Sequence, residues 1–294
     1  MKLSAVVDTP TAGIGRTVRQ AAAPTHDREI RIVQSVKDLA KRAGHHVKST
    51  TGYRLLRTKR WGVDWLDDCL RIASQRWHPD FASLDVIFDV GANTGQTVRK
   101  IQQRVSPRQI CCFEPVASTF QQLSRNTARF RNVECFNYGL SDHDREAQIN
   151  IYASSVLAST CDSSPILSSD SELFQRSETI QLRSLDSVCR ERGVDSIDVL
   201  KVDTEGADLA TLHGATEMLG NHRIGLIVFE FFCLTSGTTQ NGTLFPIDQY
   251  LSSHGYRVVS FYTDFVHHRQ PTGVYNALYA VIPNSETSSS RQAT

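Results

Sequence analysis

Between residues 85 and 282 the chain alternates short, unbroken apolar runs with longer stretches whose apolar positions recur every three or four residues. The runs at 86–89, 109–114, 133–138, 198–203 and 225–231 are short and mostly apolar, and each is followed by polar or turn residues. Runs of that kind suit strands covered on both faces. The stretches at 95–105, 118–127, 207–219 and 246–254 carry a helical stripe, and 184–189 a shorter one. A different rhythm interrupts them: 148–152 and 179–182 alternate apolar with polar, which predicts a pair of antiparallel strands. Between these lies a Ser-rich stretch, 154–171, long enough to predict a functional or mobile loop. Two further strands, 256–261 and 275–282, complete the pattern.

Upstream, Ile30, Ile32, Val33, Val36, Leu39 and Ala40 form a stripe over 29–42. Trp65, Leu66, Cys69, Leu70, Ile72 and Ala73 form another over 61–77, so a helical N-terminal cap is expected over 29–80. Residues 1–28, rich in Ala, Thr, Pro and Arg without a period, and the low-complexity tail 283–294 are expected to be disordered. The β-α units between predict an α/β domain over 85–282, a mostly parallel sheet with helices on both faces. Ligands of such sheets bind beyond the carboxyl ends of the strands.

Composition narrows the classes. With 40% apolar and 21% charged residues, the 294-residue chain is an ordinary globular protein with a sizeable core. A formal net charge of +1 offers no broad attraction to nucleic acid or an anionic membrane, and neither is expected as a partner. The apolar stretch 224–234 is interrupted by Glu230 and is too short to span a bilayer. The seven cysteines contain no Cys-x-x-Cys pair. Cys111, Cys112, Cys135 and Cys233 sit in apolar runs as small hydrophobes, so a reducing, cytoplasmic setting is expected.

The chemistry gathers at the predicted strand ends. The run Val86-Ile87-Phe88-Asp89 opens into Val90-Gly91-Ala92-Asn93-Thr94-Gly95, a strand, a tight turn and a helix start. Glu114 closes the next strand, where a carboxylate is placed to accept both hydroxyls of a ribose. Together they indicate a nucleoside cofactor. Ser141 and Asp142, after the third strand, lie beside that ribose position, with Asp142 suited to the adenine amino group. Lys201, Asp203 and Glu205 crowd the end of the fourth strand, and the fifth delivers Glu230 beside them. A charged group in a central strand needs a partner, and a cluster at this edge favours function over a supporting ion pair. Asp203, Glu205 and Glu230 offer oxygen ligands for a divalent cation. That is the lesser reading, and no resident metal is expected. His213, His267 and His268 lack partners at metal-ligand spacing.

Two series of residues carry a resemblance. Phe88-Asp89-Val90-Gly91-Ala92-Asn93-Thr94-Gly95, Phe113-Glu114-Pro115 and Gly139-Leu140-Ser141-Asp142 resemble a class I S-adenosylmethionine-dependent methyltransferase. Leu182-Arg183-Ser184-Leu185-Asp186-Ser187, Leu200-Lys201-Val202-Asp203-Thr204-Glu205-Gly206 and Glu230 narrow it to the FkbM-type family. The resemblance implies a Rossmann-like seven-stranded, mostly parallel sheet with a reversed last strand. It also implies methyl transfer from S-adenosylmethionine to a hydroxyl oxygen of a small-molecule or carbohydrate-like acceptor. By position, Asp89, Gly91, Asn93 and Gly95 would wrap the methionine part of the cofactor, Glu114 the ribose, and Ser141 with Asp142 the adenine. Asn93 stands where many methyltransferases carry a second glycine, in keeping with the narrower family.

For the base, the order is Glu205, Asp203, then Lys201, with Glu230 beside them; Lys201 would need its pKa lowered by burial, or else orients a carboxylate. The Ser-rich stretch and the N-terminal cap, not needed for the cofactor, would line the acceptor pocket. Two readings compete. A NAD(P)-dependent oxidoreductase also places an acid about 20 residues past a glycine turn, but Gly-x-Gly-x-x-Gly and Tyr-x-x-x-Lys are absent. A non-catalytic binding module is opposed by the intact turn and Glu114.

Overall fold

The computed structural model describes residues 61–152, 158–159, 174–232, 234, 242–266 and 273–282, all within the unit Thr58–Thr294. The helix expected over 29–42, most of the Ser-rich stretch, Cys233, His267, His268 and both terminal segments lie outside those residues.

In chain order the elements begin α1 (Trp65–Ser74), β1 (Val86–Val90), α2 (Gln96–Gln102), β2 (Gln109–Phe113), α3 (Ala117–Thr127), β3 (Val133–Phe136) and β4 (Gly139–Leu140). They continue β5 (Arg145–Tyr152), β6 (Ala158–Ser159), β7 (Phe174–Arg183), α4 (Leu185–Arg192), β8 (Ile197–Val202), α5 (Asp208–His213) and α6 (Thr216–Gly220). The described elements close with β9 (Ile224–Phe231), α7 (Leu244–Ser253), β10 (Tyr256–Val266) and β11 (Gly273–Val281).

Seven strands form one sheet in the order β3-β2-β1-β8-β9-β11-β10. The five from β3 to β9 run parallel. The last strand, β11, is reversed, antiparallel to both β9 and β10. Every residue of β1, β8 and β9 is buried, as unbroken apolar runs predict. Alternate residues enter two cores. Phe88, Val90, Leu200, Val202, Ile227 and Phe229 pack with Leu185, Leu212, Leu219 and Leu251 of the later helices. Ile87, Val199, Leu226 and Val228 pack on the other side with Leu66 and Ile72 of α1, Val98 and Ile101 of α2 and Leu123 of α3. The sheet is thus the middle layer of three.

Local chemistry sets the helix ends. Asp64 accepts from the N–H groups of Leu66 and Asp67 at the start of α1, and its carboxylate meets Lys100 of α2 at 3.1 Å. Ser184 caps α4, which stops at Gly193 with φ 64°. The expected 148–152 and 179–182 pair forms, with Gln148 opposite Thr179, inside a second sheet ordered β4-β7-β5-β6.

Two expectations give way to long-range contacts. The strand expected over 133–138 ends at Phe136, because Gly139 and Leu140 leave it to pair with Leu182 and Arg183 of β7. The single helix expected over 207–219 divides into α5 and α6 around Gly214 and Ala215. A Cβ on Gly214 would overlap the carbonyl oxygen of Ser141, while the Gly214 carbonyl accepts from the Asp186 N–H at 2.9 Å. The Asp186 carboxylate in turn receives the N–H groups of Glu217 and Met218, capping α6. Gly214 therefore serves close approach, whereas Gly193 serves backbone conformation with nothing near its missing Cβ. Gly214→Ala is expected to cost about 1–3 kcal/mol or more through overpacking, and Gly193→Ala only about 1 kcal/mol through its left-handed backbone. Urea unfolding of the two variants checks the order, and equal losses would refute the steric account.

Candidate active site

β2, β1, β8 and β9 lie side by side in the sheet, and Asp89, Glu114, Lys201, Asp203, Glu205 and Glu230 sit at or just beyond their carboxyl ends. β1 delivers Asp89, fully buried, and then turns through Gly91 (φ 78°), Asn93 (φ 48°) and Gly95 (φ 90°) into α2. A Cβ on Gly91 would fall on the carbonyl oxygen of Asp203, so only glycine lets β1 and β8 end side by side. Asparagine at 93 suits its left-handed backbone, since Asn adopts that region more readily than most residues. Its N–H donates to Glu114 Oε2 at 3.1 Å, and the Val116 N–H donates to Glu114 Oε1 at 3.0 Å. Glu114, directly after β2, is thereby aimed at the mouth of the turn.

Asp89 and Lys201 are register partners across β1 and β8, on the same row as Cys112. Neither carboxylate oxygen of Asp89 has a hydrogen-bond partner of ordinary geometry. Burial pushes its pKa up to about 6, with partial relief from Lys201 and slight relief from Thr97. Burial likewise pushes Glu114 up to about 7, against the pull of its two backbone hydrogen bonds.

On the β8 side the Lys201 ammonium, buried, donates to Asp203 Oδ2 at 2.7 Å. Burial opposes its charge, yet Asp203 and Asp89 outweigh that and raise its pKa above the ordinary lysine value. Lys201 is thereby favoured as an ammonium, paired with Asp203. Glu205 holds a left-handed backbone (φ 51°) before Gly206, a conformation costly for a glutamate and found where geometry serves a site. Burial, then Asp203 and Asp208, push its pKa up to about 8. Glu230, near the end of β9, is 7% exposed, and burial with the surrounding acids raises its pKa as well. Carboxylate oxygens of Asp203, Glu205 and Glu230 lie within 4.8 Å of one another.

Ser141 and Asp142 follow β4, and Ser141 Oγ donates to Asp142 Oδ1 at 2.9 Å. Although burial acts against it, Arg145 and Ser141 hold the Asp142 carboxyl well below the usual range. Asp142 is thus already engaged by Arg145 and by His143 at 3.1 Å. Sequence reasoning missed Asp208. It is 1% exposed, receives the Thr204 hydroxyl at 3.2 Å through Oδ2, and has no partner at Oδ1. An acid in a helix's first turn reads as a complement to the helix dipole, which hid it. His213 packs edge-on against Tyr250 at 4.5 Å, a packing role.

A parallel sheet with one reversed strand beside its edge, a glycine turn after β1 and an acid after β2 define a class I methyltransferase. The model of the methyltransferase FkbM domain matches residues 89–258, and the chain belongs to that family. Family and fold imply S-adenosylmethionine as methyl donor. The residues fit it: a buried carboxylate without partners at Asp89 suits a cationic ligand, and Glu114 keeps lone pairs for hydroxyls. The chain is 29% identical over 203 residues to the AMB antimetabolite synthetase AmbE of Pseudomonas aeruginosa, covering 59% of this chain and 10% of that protein. It is 27% identical over 148 residues to the 2-O-methyltransferase NoeI of Sinorhizobium fredii, covering 47% of this chain and 60% of that one. Among solved structures, an rRNA methylase from Streptococcus thermophilus is similar at a TM-score of 0.41 and 8% identity, over 79% of this chain and 100% of that one. Among the described residues no helix is long and apolar enough to cross a membrane.

Asp89 makes a pH prediction. Its folded pKa of about 6 lies above the ordinary 3.8, so the fold favours the protonated form. The stability this contributes is complete below about pH 4 and is lost as pH rises through about 6. Without ligand, wild-type protein is expected to lose on the order of 3 kcal/mol between pH 4 and 7.5 relative to Asp89→Asn. Urea unfolding of both at the two pH values checks this; parallel losses would contradict it.

Proposed function

We propose that the protein transfers a methyl group from S-adenosylmethionine to a hydroxyl oxygen of a small-molecule or glycan acceptor. The observation that carries this reading is the cluster of Asp203, Glu205 and Glu230, oxygens within 4.8 Å, beside the turn that holds the donor. A hydroxyl sheds its proton as it is methylated, and a positioned base contributes roughly 10²–10⁴-fold. Glu205, held on its strained turn, is the first candidate to take that proton, and Asp203 the second. Lys201 fixes Asp203 through their ion pair and keeps a positive charge among the acids. Asp89 and Glu114 hold the donor, which when bound supplies a methyl on a sulfonium and departs as S-adenosylhomocysteine. The relative named a 2-O-methyltransferase supports an oxygen acceptor, although this chain spans 60% of it, and 10% of the synthetase.

Calorimetric titration is the first test. S-adenosylmethionine and S-adenosylhomocysteine are expected to bind, and NAD and NADP to give no heat; binding of the nicotinamides alone would overturn the reading. Glu114→Ala is expected to weaken S-adenosylhomocysteine binding by roughly 10–100-fold, since a charged acceptor is lost from the diol. Unchanged affinity would remove Glu114 from the site. With an acceptor found by screening sugars and small alcohols, Glu205→Gln is expected to keep cofactor affinity and lower kcat by about 10²-fold or more. Wild-type turnover in that variant would exclude Glu205 as base.

A further inference from the structure

We propose that Cys112 of β2 and Cys135 of β3 form an oxidation site, where a hydroperoxide converts the two thiols to a disulfide that disturbs the donor turn. The effect on donor binding rests on the function proposed above; the oxidation does not.

The two cysteines are register partners in adjacent parallel strands. Such strands lie about 4.8 Å apart, and disulfides join Cα atoms about 4.4–6.8 Å apart. Partners in register project from the same face of a sheet, and both cysteines pack in the core covered by α1, α2 and α3. Cys111, one residue earlier, enters the opposite core. The pair is therefore placed for a bond that Cys111 cannot make. Access is one-sided as well: Cys112 is fully buried, whereas Cys135 is half-buried on β3, the outer strand of the sheet. On sequence alone both read as small hydrophobes in apolar runs, and their alignment is visible only in the fold.

The two thiols differ in chemistry. The hydrogen bond from Cys112 brings the Cys135 pKa down to about 7; burial opposes this and the Thr127 hydroxyl assists it. The same hydrogen bond, with burial, holds the Cys112 thiol well above its ordinary range. Burial also raises Cys69, Cys111 and Cys189. Cys135 thus has the most thiolate character of the described cysteines, and the thiolate is the reactive form. Its sulfur attacks a peroxide oxygen and the O–O bond breaks. The products are a sulfenic acid and a hydroxide or alkoxide, which takes a proton from water. The Cys112 sulfur then attacks the Cys135 sulfur, the S–S bond forms and the S–O bond breaks, and the leaving hydroxide takes the Cys112 proton to become water. Each sulfur gives up one electron and the peroxide accepts both. An external dithiol reverses the bond by exchange.

The pair lies against the donor turn. Thr127 Oγ1 is 3.4 Å from Cys135 Sγ and donates to the Leu123 carbonyl at 2.8 Å. Side-chain atoms of Thr127 and Leu123 each lie 3.2 Å from the place a Cβ on Gly95 would take. The neighbouring Asn126 amide donates to the Thr94 carbonyl at 2.8 Å. Cys112 also shares its row with Asp89. Drawing the two sulfurs to about 2.05 Å takes Cys135 from Thr127 and shifts the end of α3 that holds Thr94 and Gly95.

The test treats the full chain, first reduced with a dithiol, with hydrogen peroxide and maps disulfides by mass spectrometry. A Cys112–Cys135 link is expected in wild-type protein and in Cys111→Ala. Cys112→Ala is expected to leave Cys135 as a sulfenic acid that dimedone captures, and Cys135→Ser to give neither product. Absence of the link from wild-type protein, or equal capture of dimedone by Cys135→Ser and Cys112→Ala, overturns the oxidation site. Calorimetry on the same samples is expected to show S-adenosylhomocysteine binding weakened roughly 3–10-fold by the link, the scale of one displaced hydrogen bond. The dithiol is expected to restore it, and Cys135→Ser to bind equally before and after peroxide. Equal affinity in linked and reduced protein overturns the disturbance of the turn. No binding by the reduced chain, with the link still formed, overturns the donor assignment and leaves the oxidation site standing.

Discussion

The backbones of β1 and β8 meet at their carboxyl ends with no room for a side chain between them. The Asp203 N–H donates to the Val90 carbonyl at 3.0 Å, and the space where a Cβ of residue 91 would stand holds the Asp203 carbonyl. On the other flank, the Gly91 and Ala92 N–H groups both donate to Phe113 at 3.0 Å. The glycine turn after β1 and the segment that carries the acids are therefore fixed directly to one another. Displacing either by the width of a methyl group would displace the other, and a donor and acceptor held by such a frame keep their mutual distance.

The same junction concentrates charge. Asp89 and Lys201 lie opposite each other in buried strands, Asp203, Glu205 and Asp208 follow within a few residues, and Glu230 stands near the end of the neighbouring β9. Ionised groups in such a place cost several kcal/mol unless paired, so the interior of the free protein is electrostatically unsatisfied at neutral pH. Binding of a cationic ligand relieves what folding alone leaves, which ties affinity to the very groups that weaken the empty fold.

Much of this was legible in the chain. Buried parallel strands announce themselves as unbroken apolar runs, and an acid that closes such a run falls at or near the strand's end, Asp89 one residue inside β1 and Glu114 just beyond β2. What escaped depended on contacts far apart in sequence. Gly214 lies in a helical stripe, and nothing local says that the Ser141 carbonyl will press against it. Residues 137 and 138 read as the end of a strand, yet the chain bends there so that Gly139 and Leu140 can pair with β7. The protonation of Lys201 hangs on how many carboxylates the fold brings near, which spacing along one strand does not reveal. The resemblance to the family was carried in part by the Leu182–Ser187 segment, where Ser184 and Asp186 cap helices. A family signature can record how a chain closes on itself.

The reversed last strand has a consequence for synthesis. β10 reaches the rest of the sheet only through β11, which enters between it and β9. As the chain leaves the ribosome, each residue of the site emerges before the strand that seals the sheet beside Glu230. Until Tyr275 to Ala280 are in place, the open flank of β9 exposes a ladder of unpaired backbone groups to any extended segment nearby. The final nine-residue strand thus acts as a molecular zip: a nascent chain can hold a complete set of ligand-binding residues and still be vulnerable to mispairing.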